Sequence, residues 1–181
     1  MRVISGSAKN KSLLVPEKGT RPLTDRIKMS LFDLLQPYLK DAAVLDLFAG
    51  SGGFGIESLS RGAKTVAFVD SSEVSTSLIL QNLQNTGFEL NGTIHLQDAG
   101  SYLSGNRESF DIIFLDPPFS LEHEKLVELV TKSGLNLTKE GVLIVRQPHS
   151  GAKTPVLTPG GGLEQVYQKR YGKSLVSFYR N

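Results

Sequence analysis

Cysteine is missing from this chain of 181 residues. No thiolate nucleophile is therefore available, and no zinc or iron–sulfur site with cysteine ligands can form. Histidine is scarce too, because the chain has only His95, His123 and His149, which are far apart in the sequence and lack the spacing of metal ligands. The sequence therefore predicts that no metal is bound.

Long hydrophobic runs are missing as well, and no stretch approaches the roughly 20 apolar residues that a membrane-spanning helix needs. Residues 1–11 are polar and basic without an apolar stretch, which argues against a secretory signal. The expected location is therefore cytoplasmic, without membrane contact. Hydrophobic residues make up 39% of the chain and charged residues 21%, which is ordinary for a globular protein. We expect one domain over residues 1–181, in which residues 1–20 extend a core of residues 21–181.

Positive charge is concentrated at one end of the chain. The net charge is only +2, but residues 1–30 contain seven bases and two acids, whereas the remaining chain contains thirteen bases and sixteen acids. Such a basic segment is suited to contact with the phosphates of a nucleic acid. The alternative interpretation is an ordinary solvated surface. The candidate substrate contacts are Arg2, Lys9, Lys11, Arg21 and Arg26.

From Ala43 onward, short β-rich apolar runs alternate with segments of helical length, which is typical of a parallel sheet flanked by helices. The pattern predicts an α/β domain of the Rossmann-like class, with a mostly parallel seven-stranded sheet, helices on both faces and an antiparallel C-terminal strand. The predicted parallel strands are Val44–Phe48, Thr65–Val69, Thr93–Leu96, Asp111–Leu115 and Gly141–Val145, and the antiparallel pair is Glu164–Arg170 with Ser174–Tyr179. The predicted helices between the strands are Gly53–Arg61, Ser72–Thr86, Glu122–Ser133 and a short one near Gly100.

The front of the chain departs from this alternation. Arg2–Gly6 and Ser12–Val15 are predicted to form a small basic hairpin around residues 9–11. Thr24 is expected to cap the helix that follows, and Pro37 to end it. The predicted apolar face of that helix consists of Ile27, Leu31, Leu34 and Leu35.

A glycine-rich loop, residues 46–55 (DLFAGSGGFG), joins the first predicted strand to its helix. Glycines let the backbone pass close to a ligand, and the helix N-terminus presents free N–H groups. Gly50, Gly52 and Gly55 match the dinucleotide-binding fingerprint, which is weak evidence by itself. Asp46 favours a different ligand, since a carboxylate there attracts the amino group of a methionine moiety and repels a pyrophosphate. The alternative role of Asp46 is to cap the loop.

Acids after the next two strands fit the remainder of a nucleoside-containing cofactor. Asp70 follows the second strand, where a carboxylate can accept hydrogen bonds from ribose hydroxyls of either NAD or S-adenosylmethionine. Asp98 and Ala99 follow the third strand, where a side chain and a backbone N–H can bracket an adenine. Taken alone, Asp98 is an ordinary loop acid. The candidate cofactor contacts in these segments are Asp46, Phe48, Gly50, Ser51, Gly52, Asp70, Ser71, Asp98 and Ala99.

The tetrad at residues 116–119 (DPPF) distinguishes between these cofactors. It follows an apolar strand, and in an open α/β sheet the loops after the strands face one ligand crevice. Exocyclic amines of bases are poor nucleophiles, but Asp116 and the Pro117 carbonyl can accept both N–H bonds and orient the nitrogen toward a sulfonium methyl. Pro117 and Pro118 restrict the backbone, and Phe119 can stack on the base. The alternative is a plain turn with Phe119 in the core.

Together these motifs resemble those of the bacterial methyltransferases that modify the N2 amine of a guanine in small-subunit (16S) ribosomal RNA. The resemblance covers nearly the whole chain, and its most specific part is residues 21–26 (RPLTDR), followed by Leu31 and Phe32. Residues 46–55, 57–63 (ESLSRGA) and 116–119 also carry it. The chain departs from the family at Arg146-Gln147, where related sequences often have an acid.

The resemblance implies a class I methyltransferase fold and S-adenosylmethionine as the cofactor. It implies that Thr24 and its neighbours close over the methionine end of the cofactor, while the glycine loop and the acids Asp46, Asp70 and Asp98 hold the rest. It also implies a guanine presented from small-subunit ribosomal RNA, within a protein-bound assembly particle.

Other functions remain open at this point, because the tetrad selects an amine and not a particular base. The same chemistry would serve the N6 amine of adenine in DNA or a protein amide. A third possibility is a non-catalytic RNA-binding assembly factor that uses the basic front end. A nicotinamide oxidoreductase has the least support.

Overall fold

A computed structural model describes residues 1–16, 25–151 and 154–181. The elements in chain order are α1 (Asp25–Leu39), β1 (Ala43–Leu47), α2 (Gly53–Ser60), β2 (Thr65–Asp70), α3 (Glu73–Thr86), β3 (Gly92–Leu96), α4 (Ala99–Gly105), β4 (Phe110–Leu115), α5 (His123–Leu135), β5 (Leu137–Pro148), β6 (Glu164–Tyr171) and β7 (Ser174–Arg180). Within the described ranges, no helix is long and apolar enough to cross a bilayer.

The seven strands form one sheet in the order β3-β2-β1-β4-β5-β7-β6. Neighbours from β3 to β5 pair in parallel, whereas β7 runs antiparallel to both β5 and β6. The predicted fold class and the antiparallel C-terminal strand are therefore confirmed. Because the chain proceeds outward from β1 to β3 and then returns to β4, the strand order reverses between β1 and β4. A ligand crevice is expected at the carboxyl ends of these two strands.

The central strands are buried on both faces, which explains their nearly continuous apolar sequences. Along β4, Ile112 and Phe114 pack in the layer that contains α1, α2 and α3, while Ile113 and Leu115 pack in the layer that contains α4 and α5. The alternation follows from the two-residue period of a strand. It confirms the prediction of helices on both faces of the sheet.

Helix α1 does not end at Pro37 as predicted, but continues to Leu39. Proline disfavours a helix interior because it lacks an N–H donor. Here it lies in the last turn, and Leu39 is completely buried, which contributes about 1.5–3 kcal/mol. The predicted apolar face also needs correction, since Leu34 is 40% exposed and Phe32 is fully buried.

The predicted N-terminal hairpin is present as a single antiparallel bridge between Arg2 and Ser12. Its backbone groups find other partners on helix α2. The Glu57 carboxylate accepts hydrogen bonds from the N–H groups of Ile4 and Ser5 at 2.8 and 3.1 Å. These bonds satisfy donors that a longer hairpin would have paired.

The N-terminal segment is also attached to helix α3 and to the core. The Asn82 side chain accepts a hydrogen bond from the Leu14 N–H at 2.7 Å and donates one to the Leu14 carbonyl at 2.9 Å. Val3 and Leu13 are buried in the same apolar layer as α1, α2 and α3. The buried apolar side chains of residues 1–16 are therefore continuous with the main core.

Candidate functional site

A cavity of about 410 Å³ opens where the strand order reverses, at the carboxyl ends of β1, β2 and β4. Five predicted cofactor residues line it together with the first residue of the tetrad. They are Phe48, Gly50, Ser51, Asp70 and Ser71, with Asp116. Residues separated by almost 70 positions in the sequence therefore share one wall.

The backbone of the glycine loop has conformations that few other residues adopt. Gly52, which precedes α2, has a left-handed conformation with φ 77°, and a Cβ on Gly55 would lie 2.2 Å from Phe68 Cε1. Only glycine at position 55 allows α2 to pack this closely on β2. Phe48 also has a positive φ of 58°, which is strained for a bulky residue. This strain lies directly at the cavity wall.

Asp46 lies beneath the glycine loop and is 1% exposed. Its Oδ2 atom accepts a hydrogen bond from the Gly55 N–H at 2.9 Å, while its Oδ1 atom has no hydrogen-bond partner among the described residues. Burial raises the pKa of Asp46 to about 8, and the nearby charges of Asp116 and Asp70 raise it as well. A buried carboxylate oxygen without a partner is costly. A ligand that brings a cationic donor would relieve that cost.

Asp70 connects the end of β2 to the glycine loop. It accepts hydrogen bonds from the Gly50 N–H at 2.8 Å and from the Ser72 N–H at 2.9 Å. A carboxylate has about four lone-pair sites, so two of those on Asp70 remain for the hydroxyls of a ligand. This arrangement is compatible with the predicted role at a ribose.

Asp98 and Ala99 occupy a different position from the other candidates. Asp98 caps helix α4 by accepting hydrogen bonds from Ser101, at 2.9 Å from the backbone nitrogen and 3.2 Å from the hydroxyl. Both residues follow β3 at the same edge of the sheet, but neither lines the cavity. Their predicted contact with an adenine stays a prediction.

Asp116 has a partner that was not predicted from the sequence. The Arg146 guanidinium donates from Nε to Asp116 Oδ1, and from Nη2 to Oδ2 at 3.0 Å. The side chains of Asp116 and Arg146 are 17% and 12% exposed. Burial raises the pKa of Asp116, and the charge of Arg146 opposes that rise. The only signal in the sequence was the departure from the family pattern at Arg146.

The rest of the tetrad is divided between the interior and the surface. Pro117 is buried, Pro118 lines the cavity, and Phe119 is 44% exposed. The alternative in which Phe119 fills the core is therefore wrong. The Arg146 guanidinium carbon lies 5.0 Å from the centre of the Phe119 ring. One face of this ring is thus already in contact with a cation.

Lys28 is a second residue at the cavity that was not predicted. It is 2% exposed, and its Nζ atom lies 2.9 Å from Glu57 Oε2. Glu57 also accepts a hydrogen bond from Arg61 Nε at 2.8 Å. Burial lowers the pKa of Lys28, and the charge of Glu57 opposes that change. The pair joins α1 to α2 behind the cavity.

The predicted substrate contacts lie in different places. Arg2 pairs with Asp25 at the start of α1, at 2.9 Å. Lys11 donates from Nζ to the Asn85 carbonyl at 3.0 Å, near the end of α3, and so lies at the amino ends of the strands, away from the cavity. Lys9 lies in the same turn as Lys11. Arg21, Thr24 and the Arg26 side chain lie outside the described residues.

A larger groove of about 620 Å³ runs over β2 and β3 beside α4. Its lining includes His95, Tyr102 and Arg107 but none of the predicted catalytic or cofactor residues. The smaller cavity is the candidate site because the glycine loop, Asp70 and Asp116 converge there.

The family description Conserved hypothetical protein 95 matches residues 1–180 of the chain. The chain is 37% identical over 185 residues to "Putative rRNA methyltransferase YlbH" of Bacillus subtilis (strain 168), covering 99% of this chain and 98% of that protein. It is 33% identical over 164 residues to "Ribosomal RNA small subunit methyltransferase D" of Haemophilus influenzae, covering 88% and 83%. The solved structure of "Putative methyltransferase yhhF from Escherichia coli" superimposes with a TM-score of 0.86 and 29% identity, covering 100% of this chain and 97% of that one.

Proposed function

Because the chain belongs to the Conserved hypothetical protein 95 family, together with small-subunit ribosomal RNA methyltransferases, we propose that it methylates the exocyclic N2 amine of a guanine in small-subunit ribosomal RNA. The methyl donor in this proposal is S-adenosylmethionine. The substrate is the RNA within a protein-bound assembly particle. Residues 1–20 act as an extension of the catalytic core formed by residues 21–181.

The observation that carries the proposal is the convergence of Asp46 and Asp116 at the reversal of strand order. Asp46 lies within β1, beneath the glycine loop, and Asp116 directly follows β4, the neighbouring strand. A site for two ligands needs an acid near each of them, and here Asp116 lines the crevice on the substrate side while Asp46 lies beneath the loop on the cofactor side. An RNA-binding factor without catalysis would require neither.

The residues present fit S-adenosylmethionine. Asp46 has a buried oxygen without a partner, and the position of a Cβ on Gly50 meets nothing within 4 Å, so the loop leaves open space. Asp70 lines the cavity and has lone pairs left for the hydroxyls of a ligand, and a cationic amino group beside Asp46 would favour the ionised form of that carboxyl. When bound, S-adenosylmethionine supplies an electrophilic methyl group on a sulfonium.

The tetrad would position the amine that accepts this methyl group. In the proposal Asp116 accepts one N–H bond of the base amine, and the Pro117 carbonyl accepts the other. The nitrogen lone pair is then directed out of the plane of the base, which makes the amine a better nucleophile. Phe119, which is 44% exposed, stacks on the base. The product nitrogen loses its extra proton readily, so no further general base is needed.

The experiment that tests the proposal identifies the methylated product. The protein is incubated with labelled S-adenosylmethionine and, separately, with deproteinised ribosomal RNA, small-subunit assembly particles and DNA, and the modified nucleoside is identified by mass spectrometry. N2-methylguanine in RNA, with the largest yield from particles, is the expected result. N6-methyladenine in DNA would contradict the substrate, and an absence of transfer in every arm would contradict the activity.

A further inference from the structure

The least expected contact in the site is between Asp116 and Arg146. The guanidinium approaches side-on and meets both carboxylate oxygens, an arrangement stronger and more directional than a single ion pair. Arg146 belongs to β5, and Asp116 directly follows β4, so each group lies one position beyond the paired residues Leu115 and Val145 of these neighbouring strands. The contact is therefore built into the fold of the sheet.

A second strand fixes the same guanidinium. Arg146 lies opposite Val176 in the antiparallel pairing of β5 with β7, and its Nη1 atom lies 3.4 Å from the Ser174 hydroxyl. The ring of Phe119 lies against the guanidinium at 5.0 Å. Arg146 thus contacts two residues of the tetrad and the adjoining strand at once.

The pair occupies the atoms that the substrate would use. In the proposed function, Asp116 accepts an N–H bond from the base amine, yet both of its oxygens accept hydrogen bonds from Arg146. A carboxylate has lone pairs for more than two donors, so the amine can share an oxygen with the guanidinium. A neutral Asp116 would lose acceptor capacity. A nearby positive charge is what keeps a largely buried carboxyl ionised.

We propose that Arg146 is a positioning residue for methyl transfer, which holds the Asp116 carboxylate ionised and oriented for the base amine and supports the Phe119 ring beneath the base. This inference rests on the proposed function. It assigns a role to a side chain whose charge is opposite to that of the acid often found in related sequences. The other charged groups that line the same cavity are Lys28 on α1 and Asp70 on β2, and Asp46 on β1 lies buried beneath its glycine loop.

The expected effect of removing Arg146 is a change in pH dependence. Burial raises the pKa of Asp116 and the Arg146 charge opposes it, so in Arg146→Met that pKa moves further upward. The ionised form is the active one, so activity is lost as the pH falls through that pKa. The acidic limb of the kcat profile should therefore move to higher pH, with a loss of at least tenfold near neutrality and recovery at alkaline pH. Arg146→Lys keeps a positive charge but loses the two-point contact. The acidic limb of its kcat profile should lie between those of wild type and Arg146→Met.

The matched control is Arg180→Met, because Arg180 also pairs with a carboxylate, Glu140, but at the opposite edge of the sheet. This variant should keep the wild-type pH profile. Affinity for S-adenosylmethionine should be unchanged in all three variants, as measured by calorimetry. An equal loss of kcat at every pH, or no loss, would overturn the role of Arg146.

A second measurement does not depend on the substrate. The Asp116 carboxyl is titrated by carbon-13 NMR in wild type and in Arg146→Met, with the resonance assigned by its disappearance in Asp116→Asn. An upward shift of at least one pH unit in its titration midpoint is expected. An unchanged midpoint would refute the proposal even if methyl transfer is observed, whereas a shifted midpoint without any methyl transfer would place the error in the proposed function.

Discussion

Two poorly exposed ion pairs lie beside the same cavity, and their surroundings differ. Glu57, which pairs with Lys28, is completely buried and also accepts hydrogen bonds from Arg61 and from two backbone N–H groups of the N-terminal segment. Asp116 is 17% exposed, and Arg146 is its hydrogen-bond donor. The comparison indicates that the first pair is a fixed part of the structure. The second retains capacity for a further partner.

Asp46 extends the comparison to a third case. It is as deeply buried as Glu57, but it has one backbone hydrogen bond and an oxygen without a partner among the described residues. The three carboxylates differ in the number of cationic side chains that contact them. Glu57 has two, Asp116 has one, and Asp46 has none among the described residues. The degree of neutralisation should separate residues that stabilise the fold from residues that receive ligands.

The largest effect is expected from Glu57→Gln. Removing this charge leaves Lys28 buried without its counter-ion, which should lower the free energy of unfolding by about 3–5 kcal/mol. The pKa of Glu57 is lowered, because Lys28 and the hydrogen bonds outweigh the effect of burial. Its contribution is therefore present above the ordinary glutamate pKa and is lost as the pH falls. Denaturant unfolding of wild type and Glu57→Gln at several pH values measures this contribution to the free energy of unfolding. A loss below 1 kcal/mol would contradict the view that the Lys28–Glu57 pair is a fixed part of the structure.

Asp116→Ala should reduce activity much more than stability, in contrast to Glu57→Gln. Methyl transfer is expected to fall by at least about 100- to 1,000-fold, equivalent to about 2.7–4 kcal/mol, because the acceptor for the base amine is gone. Affinity for S-adenosylmethionine should change little, and the melting temperature should fall less than in Glu57→Gln, because Arg146 is 12% exposed and can be hydrated when its partner is removed, whereas Lys28 is 2% exposed. Wild-type transfer by this variant would exclude Asp116 from catalysis, and a large loss of stability would make the Asp116 pair structural like that of Glu57.

A smaller effect is expected from Asp46→Asn. Loss of a charged hydrogen bond to the amino group of the cofactor should weaken its binding by about 1.5–3 kcal/mol. Because burial raises the pKa of Asp46 to about 8, wild-type affinity should increase between pH 6 and 7.5, by up to about tenfold per unit, while the amino group is still largely protonated. Calorimetry on both proteins over this range provides the test. An equal pH dependence in wild type and Asp46→Asn would show that Asp46 is not the titrating group.

Local patterns were sufficient for most of the fold. Strands with two buried faces, and a helix that is terminated by a glycine in the left-handed conformation, as α3 is by Gly87, are specified by short stretches of sequence. The helix that passes Pro37 was mispredicted because its stability depends on the burial of Leu39, which is a tertiary effect. The N-terminal hairpin is present but has a single bridge, and two of its N–H groups donate instead to Glu57, about 50 residues later, which local sequence does not indicate.

Those parts of the site that a single continuous segment supplies could be predicted from the sequence. The glycine loop and the tetrad are continuous stretches, so their residue types indicate their chemistry. The contact between Asp116 and Arg146 joins residues 30 positions apart on neighbouring strands, and nothing local specifies their register. Lys28 was missed for the same reason, because its proximity to the cavity depends on how α1 packs against α2.

The position of β7 between β5 and β6 has a consequence for synthesis of the chain on the ribosome. Strand β6 emerges before β7, yet within the described part of the chain β7 is the only strand that pairs with it. During translation, β6 therefore lacks its native neighbour until Ser174–Arg180 has left the ribosomal exit tunnel. Until then β5 presents an open apolar edge of the kind that promotes aggregation. The nascent protein would consequently complete its sheet in one late step, in which β7 inserts and brings β6 with it.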